Sequence, residues 1–319
     1  VVEPRLRGDE PGRELVDRYV EFVAARCRPN TVAATRSDLG VFFSVVDRPP
    51  VEVSAGDVLE FIVAQRRPRG DGKVVRLADG EAGLSARTIK RRVATVSGFY
   101  RWLTIMGAVS ANPVPRGLST RRRGRRSGLR LVRTPRTLPK VLDPGEVNAL
   151  LGVLRRWRDR AMVEAMVLGG LRRCEVLGLR VEDLRAVERR VFIAEGKGGH
   201  QRLVPISARF FASVACYLDG ERPPQATTDR VFVVLKGPRR GRPLSEDGLD
   251  EIVRAARARA GLAHATCHEL GHTCLTRLRE AGMALEAVQA QAGHRSIEST
   301  RIYLHLANDW LAGEYLRAV

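Results

Sequence analysis

The sequence predicts a two-domain protein, all-helical in its first part and mainly helical (α+β) in its second, with a small antiparallel sheet among the later helices. Three observations carry this. Apolar residues recur at helical spacing through most of both parts. A stretch with ten basic residues and no acidic one, residues 116–140, divides them. Two short runs that read as strands, residues 190–194 and 202–206, flank the glycine turn GKGGH at 196–200. The order of helices, a small sheet and helices again gives the α+β class.

Residues 1–11 are polar, hold two prolines and read as a flexible arm. A helical core domain then spans 12–115. Over 12–27, Leu15, Tyr19, Phe22 and Val23 fall on one helical face. Pro29 interrupts, and Asn30 or Thr31 is placed to cap the next helix. Its stripe is Val32, Thr35, Leu39, Phe42 and Val46, with Arg28 and Arg36 off it. A short helix fits 55–66, and 66–83, rich in glycine and charge, reads as a loop. Ser85 caps a strong helix running to 106, with Ile89, Val93, Val96, Tyr100 and Leu103 inward. Arg87, Lys90, Arg91 and Arg101 lie around it, and Asn112-Pro113-Val114 closes the domain with one basic side.

Residues 116–140 form an Arg-rich linker that includes Arg121, Arg122, Arg123, Arg125 and Arg126. Ten uncompensated charges repel one another unless an anion is present, so this segment is expected to lie along phosphates. The second domain, 141–319, opens with Asp143 as cap, Pro144 in the first turn and Glu146 to complete a helix start. An apolar helix over 159–168 stops at Gly169-Gly170, and another runs over 171–179. The hairpin around GKGGH follows. Residues 210–218 and 249–260 read as helices, and 231–235 as a further strand. The segment 264–305 is helical and holds His268, His272, His294, Tyr303 and His305.

The chain has 319 residues and a formal net charge of +19, which predicts a polyanionic partner. Of its 55 basic residues only five are lysines: Lys73, Lys90, Lys140, Lys197 and Lys236. Arginine suits bidentate phosphate contacts, whereas lysine can give up a proton, so each surviving lysine is informative. Five cysteines in no framework spacing suggest reduced thiols and a cytoplasmic setting. No apolar run approaches the roughly 18 residues of a membrane span. No signal peptide is visible, and the opening Val1 is consistent with a trimmed start.

Two motif readings compete in the last segment. HELGH, residues 268–272, spells H-E-x-x-H, which sets two imidazoles on one helical face beside a Glu base, as in zinc proteases. Glu286 or His294 would be the third ligand. That reading leaves the charge, the linker and the hairpin lysine unexplained, and no CxxC pair supports structural zinc. No metal and no cofactor is expected.

The other reading is a resemblance. GLRRCEVLGL (170–179), EGKGGHQRLVPI (195–206), His268, AGHRSIEST (292–300) and TRIYLH (300–305) resemble, in order and separation, the signatures of the tyrosine recombinases of the phage-integrase family. Residues 85–114 look like the last part of that family's core-binding domain, so nearly the whole chain is covered. The resemblance implies a SAM-like helical domain and a catalytic domain that clamp double-stranded DNA from opposite sides, with the linker crossing the backbone. It implies Arg172 as a phosphate clamp, Lys197 as general acid, and His268 and His294 as proton-transfer or phosphate-holding groups. Tyr303 would be the nucleophile that forms a 3′-phosphotyrosine link. A tetramer on two DNA sites, in a bacterial or phage-encoded protein associated with the nucleoid, is the expected setting. The segment 309–319 would dock on a neighbouring protomer or pack on its own domain.

One position departs from the family pattern. The family reads H-x-x-R with a second clamp arginine, and here that place holds Gly271. Losing one preorganised donor slows such chemistry about 10²- to 10³-fold. Three explanations stand: a substitution introduced to stall the enzyme on DNA, which is preferred; recruitment of another arginine such as Arg277; or a DNA-binding paralogue without catalysis.

Overall fold

The computed structural model describes residues 11–67, 83–115, 131–132, 139–194, 196, 201–294, 296–304 and 316. The chain divides into two compact units, Val1–Arg136 and Thr137–Val319. Expectations for the linker arginines Arg121, Arg122, Arg123, Arg125 and Arg126, for Lys197 and for 309–315 fall outside the described residues.

The first unit holds four helices: α1 (Pro11–Ala24), α2 (Pro29–Val45), α3 (Ala55–Arg66) and α4 (Ala86–Ile105). Pro29 opens α2 rather than interrupting the chain before it. Arg28 is the extended residue ahead of the helix, and the missing proline N–H falls where a helix leaves its donors unused anyway. Ser54 and Asp57 form a reciprocal capping box on α3, and Ser85 caps α4 by accepting from the Thr88 N–H at 3.2 Å. Leu39, Phe42, Phe61, Ile89, Phe99, Tyr100 and Leu103 are fully buried. Phe42 meets Phe61 edge-on with centroids 5.0 Å apart, a favoured aromatic geometry. Asp38 is buried on α2 and binds Arg91 and Thr95 of α4, so a buried charge ties the two helices. Arg87 and Lys90 are exposed on α4, as is much of Arg91.

The second unit is built on α6 (Trp157–Gly169), where Ala161, Met162, Val163, Ala165, Met166 and Val167 are all buried. A helix covered on every side has no amphipathic stripe, and α8 (Ala208–Gly220) and α10 (Cys267–Glu280) pack on it. Ahead of it, α5 (Pro144–Gly152) opens with the expected capping box between Asp143 and Glu146. Gly170 ends α6 in the left-handed region at φ 69°. The chain re-enters as the short α7 (Arg173–Gly178).

The sheet has three antiparallel strands in the order β1 (Leu184–Arg185), β2 (Arg190–Ile193), β3 (Arg202–Pro205), with Val191 opposite Val204. β1 is two residues long, too short for any alternation to reveal it. The expected strand over 231–235 is an isolated bridge, Val233 with Pro243. Val231, Phe232 and Val233 are buried, and the Tyr217 hydroxyl donates to the Val231 carbonyl at 3.0 Å while accepting from the Val233 N–H. The remaining helices are α9 (Glu246–Arg259) and α11 (Leu285–Ala292), followed by 3₁₀ turns Ile297–Ser299 and Arg301–Leu304. Among the described residues no helix is long and apolar enough to cross a membrane.

Candidate active site

Arg172 stands at the extended residue that precedes α7, where the chain turns out of the buried end of α6. Glu175 fixes it there. One carboxylate oxygen accepts from the Arg172 backbone N–H and the other from its guanidinium, both at 3.0 Å. The same carboxylate takes two parallel bonds of 2.9 Å from Arg202 on β3. A fork-to-fork pair of this kind sets orientation as well as energy. Burial would raise the Glu175 pKa, but the Arg202 hydrogen bonds and the two guanidinium charges outweigh it and hold the group ionised. Arg202 also reaches the Gln291 carbonyl at 3.3 Å, which links the sheet to the end of α11.

His268 and His272 sit one turn apart on α10, started by Thr266, which accepts from the Glu269 N–H at 3.2 Å. Their Nε2 atoms are 2.9 Å apart, and the rings meet edge to face. His272 Nδ1 lies 2.7 Å from the Tyr303 hydroxyl. Tyr303 is carried on the turn Arg301–Leu304, is 1% exposed, and packs in a small cluster with Leu275, Val288 and Ala292. His294 follows Gly293, which closes α11 in the left-handed region, and its Nδ1 is 3.0 Å from Thr300 Oγ1. Its ring lies parallel to that of Tyr303, with centroids 6.4 Å apart.

Burial raises the Tyr303 pKa well above its ordinary value, and the charge of Arg172 acts in the opposite direction. Burial, followed by the charges of His268 and His294, presses His272 down to about 4, so it is neutral near pH 7. The site thus brings Arg172, His268, His294 and Tyr303 of the predicted set into one region. Sequence reasoning did not single out Glu175 or Arg202, and it met His272 only as the second imidazole of the HELGH motif. The signal for Glu175 was its place three residues after Arg172, where a helix start accepts a carboxylate.

Gly271 faces this region with room to spare. A methyl group added there would meet only the Leu171 carbonyl oxygen, at 3.9 Å. Arg277 does not fill the gap. It lies six residues on, about 240° round the helix, and its guanidinium is 3.5 Å from the Leu142 carbonyl. Among the described residues no three His, Cys, Asp or Glu converge to hold a metal. The Glu of the HELGH motif, Glu269, instead has a carboxylate oxygen 3.7 Å from His264.

Residues 140–309 match the phage integrase family model. The chain is 32% identical over 288 residues to tyrosine recombinase XerC of Roseiflexus sp. (strain RS-1), covering 87% of this chain and 83% of that one. It is 31% identical over 311 residues to tyrosine recombinase XerD of Mycobacterium tuberculosis (strain CDC 1551 / Oshkosh), covering 91% and 92%. Among solved structures, the XerH site-specific recombinase bound to its difH substrate superposes with a TM-score of 0.67 at 18% identity, over 94% of this chain and 83% of that one. A lambda integrase dimer bound to a COC′ core site gives 0.66 at 18%, over 91% and 94%. At that identity the structures establish the fold, and the two sequence relatives and the family match establish the kinship. The chain belongs to the phage integrase family, the tyrosine recombinases.

Proposed function

We propose that this chain binds double-stranded DNA and breaks and rejoins it at a defined site through a 3′-phosphotyrosine link at Tyr303. The observation that supports this is the meeting of Tyr303 with His272, His268, His294 and the field of Arg172 in one place. Arg172, held rigid by Glu175, would bind a non-bridging oxygen of the scissile phosphate as charge builds on phosphorus. His268 and His294 would hold the phosphate or move protons. Lys197 would protonate the departing 5′ oxygen. Because the phosphodiester energy is kept in the covalent link, the second strand can reverse the step without an external energy source. The exposed Arg87, Lys90 and Arg91 on α4, together with the linker arginines, would contact the DNA backbone. A tetramer on two sites would exchange strands in pairs.

Tyr303 is 1% exposed, so the groups covering it must move before a phosphodiester reaches its oxygen. Gly271 leaves the place of a second phosphate cation without a side chain, so cleavage by this chain would be slow. The test uses a nicked suicide DNA carrying a candidate junction, followed by denaturing electrophoresis and a search for a phosphotyrosyl peptide. An adduct on Tyr303, formed faster by Gly271→Arg, supports the reading. Equal rates for the two proteins would remove impairment at Gly271. DNA binding with no adduct from either would leave a DNA-binding protein without strand transfer.

A further inference from the structure

His272 makes a contact that the roles above do not use. Among the described residues it is the single hydrogen-bond partner of the Tyr303 hydroxyl, at 2.7 Å, and its other ring nitrogen lies 2.9 Å from Nε2 of His268. One assignment of the protons satisfies both distances. A buried phenol O–H needs an acceptor. With pKa raised by burial, Tyr303 keeps its proton near pH 7. If Nδ1 of His272 carried hydrogen, that phenol proton would be left without one. In this assignment Nδ1 is bare and accepts from Tyr303. The single proton of the neutral imidazole is then on Nε2, which donates to Nε2 of His268. His268, exposed at the start of α10, accepts on Nε2 in the same assignment. The three groups form a directed chain from a buried phenol to solvent.

We infer that His272 is a further catalytic residue, a proton relay that takes the Tyr303 phenol proton as its oxygen attacks phosphorus. The inference rests on the strand-transfer reading above. In the step, the Tyr303 O–P bond forms and the P–O5′ bond breaks. The phenol proton moves to His272 Nδ1, and the His272 Nε2 proton moves to His268 Nε2, from which it is lost to solvent. The departing 5′ oxygen takes a separate proton from the general acid, so the two proton transfers occur on opposite sides of phosphorus. His272 begins and ends neutral, with its two ring nitrogens exchanging roles. A site that presses this imidazole away from its charged form suits a relay and not a group that stores a proton.

The test is adduct formation on suicide DNA by this chain and by Gly271→Arg, each with and without His272→Asn. Asn sets an amide oxygen near the place of Nδ1, so the phenol keeps a hydrogen bond but has no path to His268. Two DNAs are used, one with the ordinary 5′ oxygen and one with a bridging 5′ sulfur, which leaves without protonation. Melting and DNA affinity of each variant serve as folding controls. A roughly 10²- to 10⁴-fold loss is expected from removing a positioned base, equal on both DNAs and smaller at pH above 9. Lys197→Ala, by contrast, is expected to recover on the sulfur DNA. A His272→Asn rate within twofold of its parent overturns the relay, and so does recovery on the sulfur DNA. Nitrogen-15 shifts of His272 in the unbound protein supply a readout independent of rate, and a protonated Nδ1 also overturns it. No adduct from either parent removes the functional reading, and the relay falls with it. An adduct that His272→Asn leaves unchanged removes the relay alone.

Discussion

Glu175 and Arg202, 27 residues apart in sequence, join through two parallel hydrogen bonds of 2.9 Å in the interior of the second unit. The carboxylate is fully buried and the guanidinium is 12% exposed. The pair does more than bridge two elements, since the same Glu175 oxygens hold Arg172 through its backbone and its side chain.

Removing Glu175 therefore strands two arginines. Glu175→Ala is expected to cost about 3–5 kcal/mol, the range for breaking a buried ion pair from one side. Glu175→Gln keeps the shape but weakens the charge-assisted bonds. Because the folded-state pKa of Glu175 is depressed, its contribution is full above the unfolded glutamate value of about 4.3 and fades as pH falls through the folded value. Urea melts of the parent and Glu175→Gln should converge as the solution is acidified. Parallel curves would mean that the pair contributes nothing to acid stability.

Gly293 guards the other side of the same guanidinium. Its φ is 58°, and an added methyl group would stand 2.7 Å from an Arg202 nitrogen. Gly293→Ala faces left-handed strain of roughly 1–2 kcal/mol and also displaces Arg202 from Glu175. The expected result is a lower melting temperature together with slower cleavage. A lower melting temperature with unchanged cleavage would mean that the strain acts without displacing Arg202.

Gly271 is the opposite case. It sits inside α10 with ordinary helical dihedrals, and the added methyl group meets only a carbonyl oxygen at 3.9 Å. Gly271→Ala should then raise stability by about 0.5–1 kcal/mol through helix propensity alone. Since alanine brings no charge, it should not accelerate cleavage, whereas Gly271→Arg should. A stabilised but equally slow Gly271→Ala is the control that assigns any gain in Gly271→Arg to its guanidinium.

The cysteines make a prediction that does not depend on DNA. Cys27, Cys174 and Cys216 are exposed, while Cys267 and Cys274 are buried with pKa values pushed up to about 12 by burial. A thiol reagent attacks the thiolate. Native protein should lose three thiols quickly and the other two only in denaturant.

How much of this was legible beforehand depends on the range of the interactions. The stripe from Ile89 to Leu103 and the Asp143–Glu146 cap are written within a few residues, and the helices follow them. Pro29 was misread as a break because a proline at a helix start and one before it look alike in sequence. Residues 231–235 have the composition of a strand, but the Tyr217 hydroxyl takes the Val231 carbonyl and the Val233 N–H, and the other backbone bonds are scattered over Leu179, Gly241, Arg242 and Leu244 instead of forming a ladder. Arg172, His268, His294 and Tyr303 were found through resemblance. The roles of Glu175, Arg202 and His272 were not, because the partners that complete them, Arg202 for Glu175, Tyr303 for His272 and Gln291 for Arg202, lie 27, 31 and 89 residues away.

The His272 imidazole gives the chain a specific response to acid. Its pKa is lowered from 6.5 to about 4, first by burial and then by the charges of His268 and His294. Between those two values the unfolded chain binds a proton that the folded chain refuses, so stability rises with pH there. The contribution is complete above about 6.5 and is lost as pH falls toward 4. Protonation would also turn Nδ1 from an acceptor into a donor and break the bond that holds the buried Tyr303 hydroxyl. Chemical denaturation at pH 7, 5.5 and 4.5 should show the parent losing more stability than His272→Asn across this window. The Tyr303 ring should report the same event in its ultraviolet difference spectrum. Identical pH slopes for the two proteins would show that His272 titrates outside this range.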